Sequence, residues 1–147
     1  MTTRFCWLII AGCVLVVGTA LASKEQSLEE LIARAKTAPL KEQPSLYIEI
    51  AERKLKAADE LYTAGKVDEA RATVAAVVAY SEKAHDAAIQ TGKRLKATEM
   101  ASRKMSHRLR DIKRTLNFED QAPVQTAADR LEGLAQDLLN HMFGKEK

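Results

Sequence analysis

Cysteine, proline, glycine and aromatic residues are all scarce in this chain of 147 residues. Its two cysteines, Cys6 and Cys13, both lie close to the N-terminus. If that segment is removed, the remaining chain has no thiol, which excludes disulfides, thiolate catalysis and sulfur ligands to a metal. The stability of the fold must then come from side-chain packing.

Signatures of catalysis are missing as well. The sequence has no Gly-rich phosphate loop, no Gly-x-Ser-x-Gly elbow and no His-Glu-x-x-His helix. Its histidines, His85, His107 and His141, have no second histidine, cysteine or carboxylate at a spacing typical of zinc sites. The sequence therefore predicts a protein that is not an enzyme and that holds no metal or cofactor.

Charge and aromatic content weigh against nucleic acid as a partner. The chain has 23 basic and 20 acidic residues, so no overall imbalance indicates a polyanionic partner. Its few aromatic side chains are scattered, whereas proteins that bind single strands need stacking platforms. We therefore expect no nucleic acid partner.

The first 22 residues have the three parts of a secretory signal peptide. Arg4 precedes an apolar run from Phe5 to Val17, and small residues follow up to Ala22. Cleavage after Ala22 predicts an exported protein, periplasmic or secreted. Two alternatives stay open: the uncharged segment is retained as a membrane anchor, or Cys13, which ends a sequence resembling a lipobox, is lipidated. The membrane is an expected partner only in these two cases.

After this segment the sequence predicts an all-α protein. Helix-forming residues dominate, and apolar residues recur at spacings of three and four. Ser27 with Glu30 indicates a capping box and a short first helix, and a second helix is expected to end at Gly65. We divide the chain into a signal peptide (1–22), a short N-terminal helix with a linker (23–44), and a helical bundle domain (45–144).

A long helix is the sharpest structural expectation. One coiled-coil-like seam runs from Val67 to Leu116 without a change of phase. A turn at Gly92 would normally change the phase, so we expect one long central helix, straight or bent there. The last helix, with Pro123 in its first turn, would end at Gly144 and pack antiparallel. The predicted architecture is an extended helical hairpin, or a small helical bundle, built on the long central helix.

The middle of this seam carries only small residues, including Ser81, Ala84 and Ala88. Such side chains bury little apolar area. We therefore expect the seam from Ala84 to Leu95 to need a cover, either the first helix or a second subunit.

Residues 58–70 resemble the hairpin of a tetratricopeptide repeat, with Ala58 and Ala70 as the small residues where its two helices touch. The family repeats after about 34 residues. At that distance Glu99 stands where the turn glycine would be, so no second copy follows. The resemblance implies one helical hairpin and no peptide-binding groove.

The same stretch is similar to the hairpin of small exported b-type cytochromes, which are four-helix bundles. This resemblance would make His85 a haem ligand, at the corresponding distance from Gly65. Those proteins take their other iron ligand from a methionine of the first helix, and no methionine occurs between Ser23 and Glu99. Bound haem is therefore not expected.

Residues 93–114 form the most strongly charged segment, with nine cations against two carboxylates and a net charge of +7. This segment is either a binding surface for an anionic partner or a face neutralised by the last helix, where residues 119–137 carry five carboxylates against one arginine. The side chains that we expect to contact a partner are Arg103, Lys104, Arg108 and Arg110 by charge, and Leu95 and Met105 by packing.

These patterns favour an exported, non-catalytic interaction or scaffold protein of the cell envelope. Its expected partner is a second copy in a homodimer or another envelope protein. A small bundle that carries a ligand or haem in its interior is one alternative. A protein that binds an anionic envelope surface through residues 93–114 is another.

Overall fold

The structure is a computed structural model that describes residues 26–144. It is a small all-α helical bundle, as predicted. The predicted signal peptide lies outside the described residues. Among the described residues, no helix combines the length and the apolar character needed to cross a membrane.

Residues 26–144 form five helices, and local signals set two of their ends. In the capping box, the hydroxyl of Ser27 accepts from the backbone N–H of Glu30 at 3.2 Å, and the Glu30 carboxylate accepts in return. Gly65 has φ 76°, a left-handed conformation that glycine adopts without steric penalty. The helices are α1 (Leu28–Thr37), α2 (Gln43–Thr63), α3 (Val67–Thr91), α4 (Leu95–Thr115) and α5 (Phe118–Phe143).

The expected long central helix is wrong, because the chain reverses between Thr91 and Leu95. Gly92 has φ 65° and Arg94 has φ 60°, both in the left-handed region. The N–H of Gly92 closes α3 by donating to the carbonyl of Ala88 at 2.8 Å. The turn lies between Thr91 and Leu95, which are successive seam positions four residues apart. The apolar spacing therefore continues across the turn unchanged.

The start of the last helix also differs from the expectation. α5 begins at Phe118, so Pro123 lies in its second turn rather than its first. Proline at that position removes one N–H donor from the helical ladder. The predicted end is confirmed, because the N–H of Gly144 donates to the carbonyl of Asn140 at 2.7 Å.

The four long helices form two antiparallel hairpins, α2–α3 and α4–α5, which lie side by side. Arg71 of α3 pairs with Asp120 of α5 at 2.5 Å, and Glu82 pairs with Arg130 at 2.7 Å. The partners advance together along the chain, so α3 and α5 run parallel. It follows that α2 and α4 also run parallel, on the other side of the bundle.

This stacking gives the bundle two distinct ends. The Gly92 end, as we call it, contains the α1–α2 connection (38–42), the α3–α4 turn (92–94) and the C-terminus of α5. The Gly65 end contains the α2–α3 turn (64–66) and the α4–α5 turn (116–117).

The buried face of α3 changes along its length. Toward the Gly65 end it carries larger side chains, Val74 and Val77. Toward the Gly92 end it carries small ones, and Ser81, Ala84 and Ala88 are each 0% exposed, while α5 supplies the larger Leu138 there. The expectation of an exposed seam starting at Ala84 is therefore wrong, because the second hairpin folds back over it within one chain.

The first helix packs back onto the bundle, as one of the two expected covers. Leu31 and Ala35 of α1 lie against Leu46 and Ile50 of α2. α1 therefore covers the first half of α2, not the small-residue seam of α3.

Alanine substitutions at two glycines test whether Gly92 lies in a turn or inside a continuous helix. An added Cβ meets nothing within 4 Å at Gly92 or at Gly133, which lies inside α5. Gly92→Ala should lower the free energy of unfolding by about 1 kcal/mol, because alanine is unfavourable at positive φ. Gly133→Ala should raise it by roughly 0.5–1 kcal/mol, because alanine is the better helix former. Urea unfolding followed by circular dichroism measures both, and a stabilising Gly92→Ala would argue for the continuous helix.

Candidate interaction surfaces

A groove of about 550 Å³ opens between α2 and α4, which pack less closely than α3 and α5 do on the other side. Leu55 of α2 and Met105 of α4 form its apolar floor. Its rims carry charges of both signs, from Glu52, Lys56 and Asp59 on α2 and from Lys104, His107, Arg108 and Asp111 on α4.

One ion pair crosses this groove. The guanidinium of Arg108 donates to the carboxylate of Asp59 at 2.5 Å. The two side chains are 55% and 34% exposed, so water screens their attraction. The pair therefore holds α2 and α4 together only weakly.

Part of the basic segment is neutralised inside the molecule, as one of its two interpretations predicts: two of its nine cations pair with carboxylates of α5. Arg103 lies 2.7 Å from Glu99 and 2.8 Å from Glu132, and Arg110 lies 3.6 Å from Asp129. The hydrogen bond to Glu99 raises the pKa of Arg103 above its already high value. The acidic helix α5 supplies two of these three carboxylates because it packs antiparallel to α4.

Of the expected partner contacts, the structure brings Lys104 and Arg108 to one accessible surface, the rim of the groove. Met105 is 2% exposed, because α4 turns this face toward the core, and only the groove floor gives access to it. Leu95 is half-buried at the first position of α4. The remaining two candidates, Arg103 and Arg110, form ion pairs with carboxylates of α5.

His85 lies in a second cleft, between α3 and α5. Its Nε2 is 2.7 Å from the carboxylate of Asp137, and its Nδ1 is 3.0 Å from that of Asp86. Both ring nitrogens are engaged, so neither is available to haem iron in this arrangement. Among residues 26–144 there is no group of three or more side chains placed to hold a metal ion.

The interior offers little to the ligand-carrier alternative. The small residues that were expected to open into a cavity are buried, and neither cleft described above is lined by Ser81, Ala84 or Ala88. The hydroxyl of Ser102 is buried without a hydrogen-bond partner among the described residues.

Tyr62 is a buried titratable group near the Gly65 end. Burial raises the pKa of its hydroxyl, although the positive charge of Arg71 acts in the opposite direction. The phenol therefore stays protonated at neutral pH, and it is a poor candidate for a general base.

Comparison with known proteins identifies no relative that would assign the groove a role: no family model, curated protein or solved structure matches the chain. Sequence reasoning missed the groove because the tetratricopeptide-like hairpin has no copy at that family's spacing. Buried residues of the second hairpin follow those of the first at a constant spacing of 54 residues. At this spacing Ala70 corresponds to Val124, Val77 to Leu131 and Ala84 to Leu138. This longer repeat is the signal that predicts two stacked hairpins.

A double-mutant cycle on Asp59→Ala and Arg108→Ala measures how firmly the groove is closed. Because both side chains are partly exposed, urea unfolding should give a coupling energy of about 0.2–1 kcal/mol. The exposed pair Glu82 and Arg130, between α3 and α5, is the matched control and should give a similar value. A coupling energy above about 2 kcal/mol at Asp59 and Arg108, but not at the control pair, would show that this ion pair contributes strongly to holding α2 against α4.

Proposed function

We propose that the protein is an exported, non-catalytic interaction module of the cell envelope, and that it binds a short amphipathic segment of a partner protein between α2 and α4. The observation that carries this proposal is the groove with an apolar floor, Leu55 and Met105, between two charged rims. Amphipathic helices bind such grooves by inserting their apolar side chains. The proposed export is supported by the signal-peptide pattern of residues 1–22.

The dimensions of the groove limit the segment that fits. Its lining runs from Glu52 to Asp59 on α2, which at 1.5 Å per residue is about 10 Å, or two helical turns. The aliphatic stems of Lys56 and Lys104 extend the apolar surface of the floor. A two-turn helix with a few apolar side chains on one face matches this length.

The charges of the rim define the rest of the partner. Within the described residues, Lys56, Lys104 and Glu52 form no ion pair, so their charges are available to a ligand. A partner segment that carries both an acidic and a basic residue beside its apolar face complements them. Haem or lipid would leave most of these charges without partners, which favours a polypeptide.

Photocrosslinking from inside the groove tests the proposal. A photoreactive amino acid replaces Lys56 or His107 in the groove, or Ala75 or Gln136 on exposed faces elsewhere, in the cells that make the protein. We expect adducts to one polypeptide from both groove positions and from neither control. Mass spectrometry of the adduct identifies the partner segment, whether it belongs to a second copy or to another protein.

Affinity for the crosslinked segment then tests the charged rim. Lys56→Glu combined with Lys104→Glu should weaken binding of the synthetic segment at least about tenfold, because the variant repels its acidic residue. Lys36→Glu combined with Lys41→Glu makes the same charge change outside the groove and should leave the affinity within about twofold. Equal adducts from groove and control positions, or equal losses in both variants, would contradict the proposal.

A further inference from the structure

The cations of the basic segment are not all neutralised. Arg103, Arg108, Arg110 and Arg114 have carboxylate partners. By contrast, no carboxylate of the described residues lies within ion-pair distance of the other five. Three of them, Lys93, Arg94 and Lys96, lie at the Gly92 end; Lys104 lies on the groove rim, and Lys113, near the Gly65 end, donates instead to the amide oxygen of Gln125.

Three of the four large apolar side chains that are exposed among the described residues lie toward the same end, and the fourth, Phe118, lies at the Gly65 end. Met100 is 58% exposed in the second turn of α4, and Phe143 is 73% exposed at the last position of α5. Leu40, 38% exposed, lies in the α1–α2 connection. Exposed apolar side chains together with cations that have no carboxylate partner are the combination that an interfacial membrane-binding surface presents to lipid.

The charge of the bundle is polarised along its length. At the Gly65 end, exposed carboxylates follow both turns, including Asp68, Glu69 and Glu119. At the Gly92 end, Glu42 is the exposed carboxylate of the α1–α2 connection. The cations of the Gly92 end therefore have few carboxylates beside them, whereas at the Gly65 end carboxylates accompany Lys66, Lys113 and Arg114.

Arg94 adds a local observation. Its backbone has φ 60°, a conformation that glycine adopts far more easily than arginine. The backbone therefore does not favour an arginine at this position.

From these observations we propose that the Gly92 end docks on an anionic lipid surface. The unpaired cations lie against the phosphate headgroups, while Phe143 and Met100 enter the boundary between headgroups and acyl chains. This inference goes beyond the groove, which lies along the side of the bundle between α2 and α4. An acidic protein would satisfy the cations but would give no reason for the exposed apolar side chains.

Two single-tryptophan variants test the orientation of docking. Phe143→Trp reports from the Gly92 end and Phe118→Trp, at an 89% exposed position, from the Gly65 end, both in the chain from Ser23 onward, which the proposed signal cleavage leaves and which has no other tryptophan. The probes are vesicles of phosphatidylcholine, with or without about 30 mol% phosphatidylglycerol, at about 0.15 M salt. Only the Phe143→Trp emission should shift to the blue, and only with phosphatidylglycerol present.

Neutralising cations at each end provides the matched comparison. Lys93→Gln, Arg94→Gln and Lys96→Gln together should raise the anionic lipid concentration needed for half the shift by about 100-fold, at roughly fivefold per cation. Lys66→Gln, Lys113→Gln and Arg114→Gln remove the same charge at the Gly65 end and should change it less than about threefold.

Several outcomes would overturn the proposal. These are no shift at this salt concentration, an equal shift with neutral vesicles, a shift from both tryptophans, or equal losses in the two triple variants. The same blue shift with soluble polyglutamate in place of vesicles would assign the surface to an acidic protein instead.

Discussion

The left-handed turn from Gly92 to Arg94 is the constraint on which the rest of the structure depends. Without it, α3 and α4 would form one helix of about 75 Å with a seam of small residues open to solvent. With it, α4 returns beside α2 and α5 lies beside α3. The burial of Ala84 and Ala88, the groove between α2 and α4 and the two unlike ends of the bundle all follow from this reversal.

The same stacking decides which charges are satisfied internally. Because α5 packs antiparallel to α4, Glu132 and Asp129 lie opposite Arg103 and Arg110. The carboxylates of α5 do not extend this pairing to Lys93 and its neighbours, so those cations stay available. Residues 93–114 look like one basic surface in the sequence, but in the fold they form two regions. In one region arginines pair with carboxylates of α5, and in the other, at the Gly92 end, the cations are exposed.

How much could be predicted depends on how local each feature is. The capping box at Ser27 and the stop at Gly65 involve a few adjacent residues, so the sequence was enough to locate both. The turn at Gly92 left no trace in the apolar spacing, because it fits within one step of the seam. The inward position of Met105 and the groove beside it depend on how two distant hairpins stack, which no local pattern encodes.

The distance between the two turns of the Gly65 end tests the stacked-hairpin account most directly. Spin labels on Lys66→Cys and Asn117→Cys, with Cys6 and Cys13 replaced by serine, measure it by pulsed electron resonance. Adjacent parallel hairpins predict a distance below about 25 Å, because neighbouring helices lie only 8–10 Å apart. A distance near 75 Å would show a continuous helix from α3 through α4 and would contradict the fold, the groove and both ends built on it.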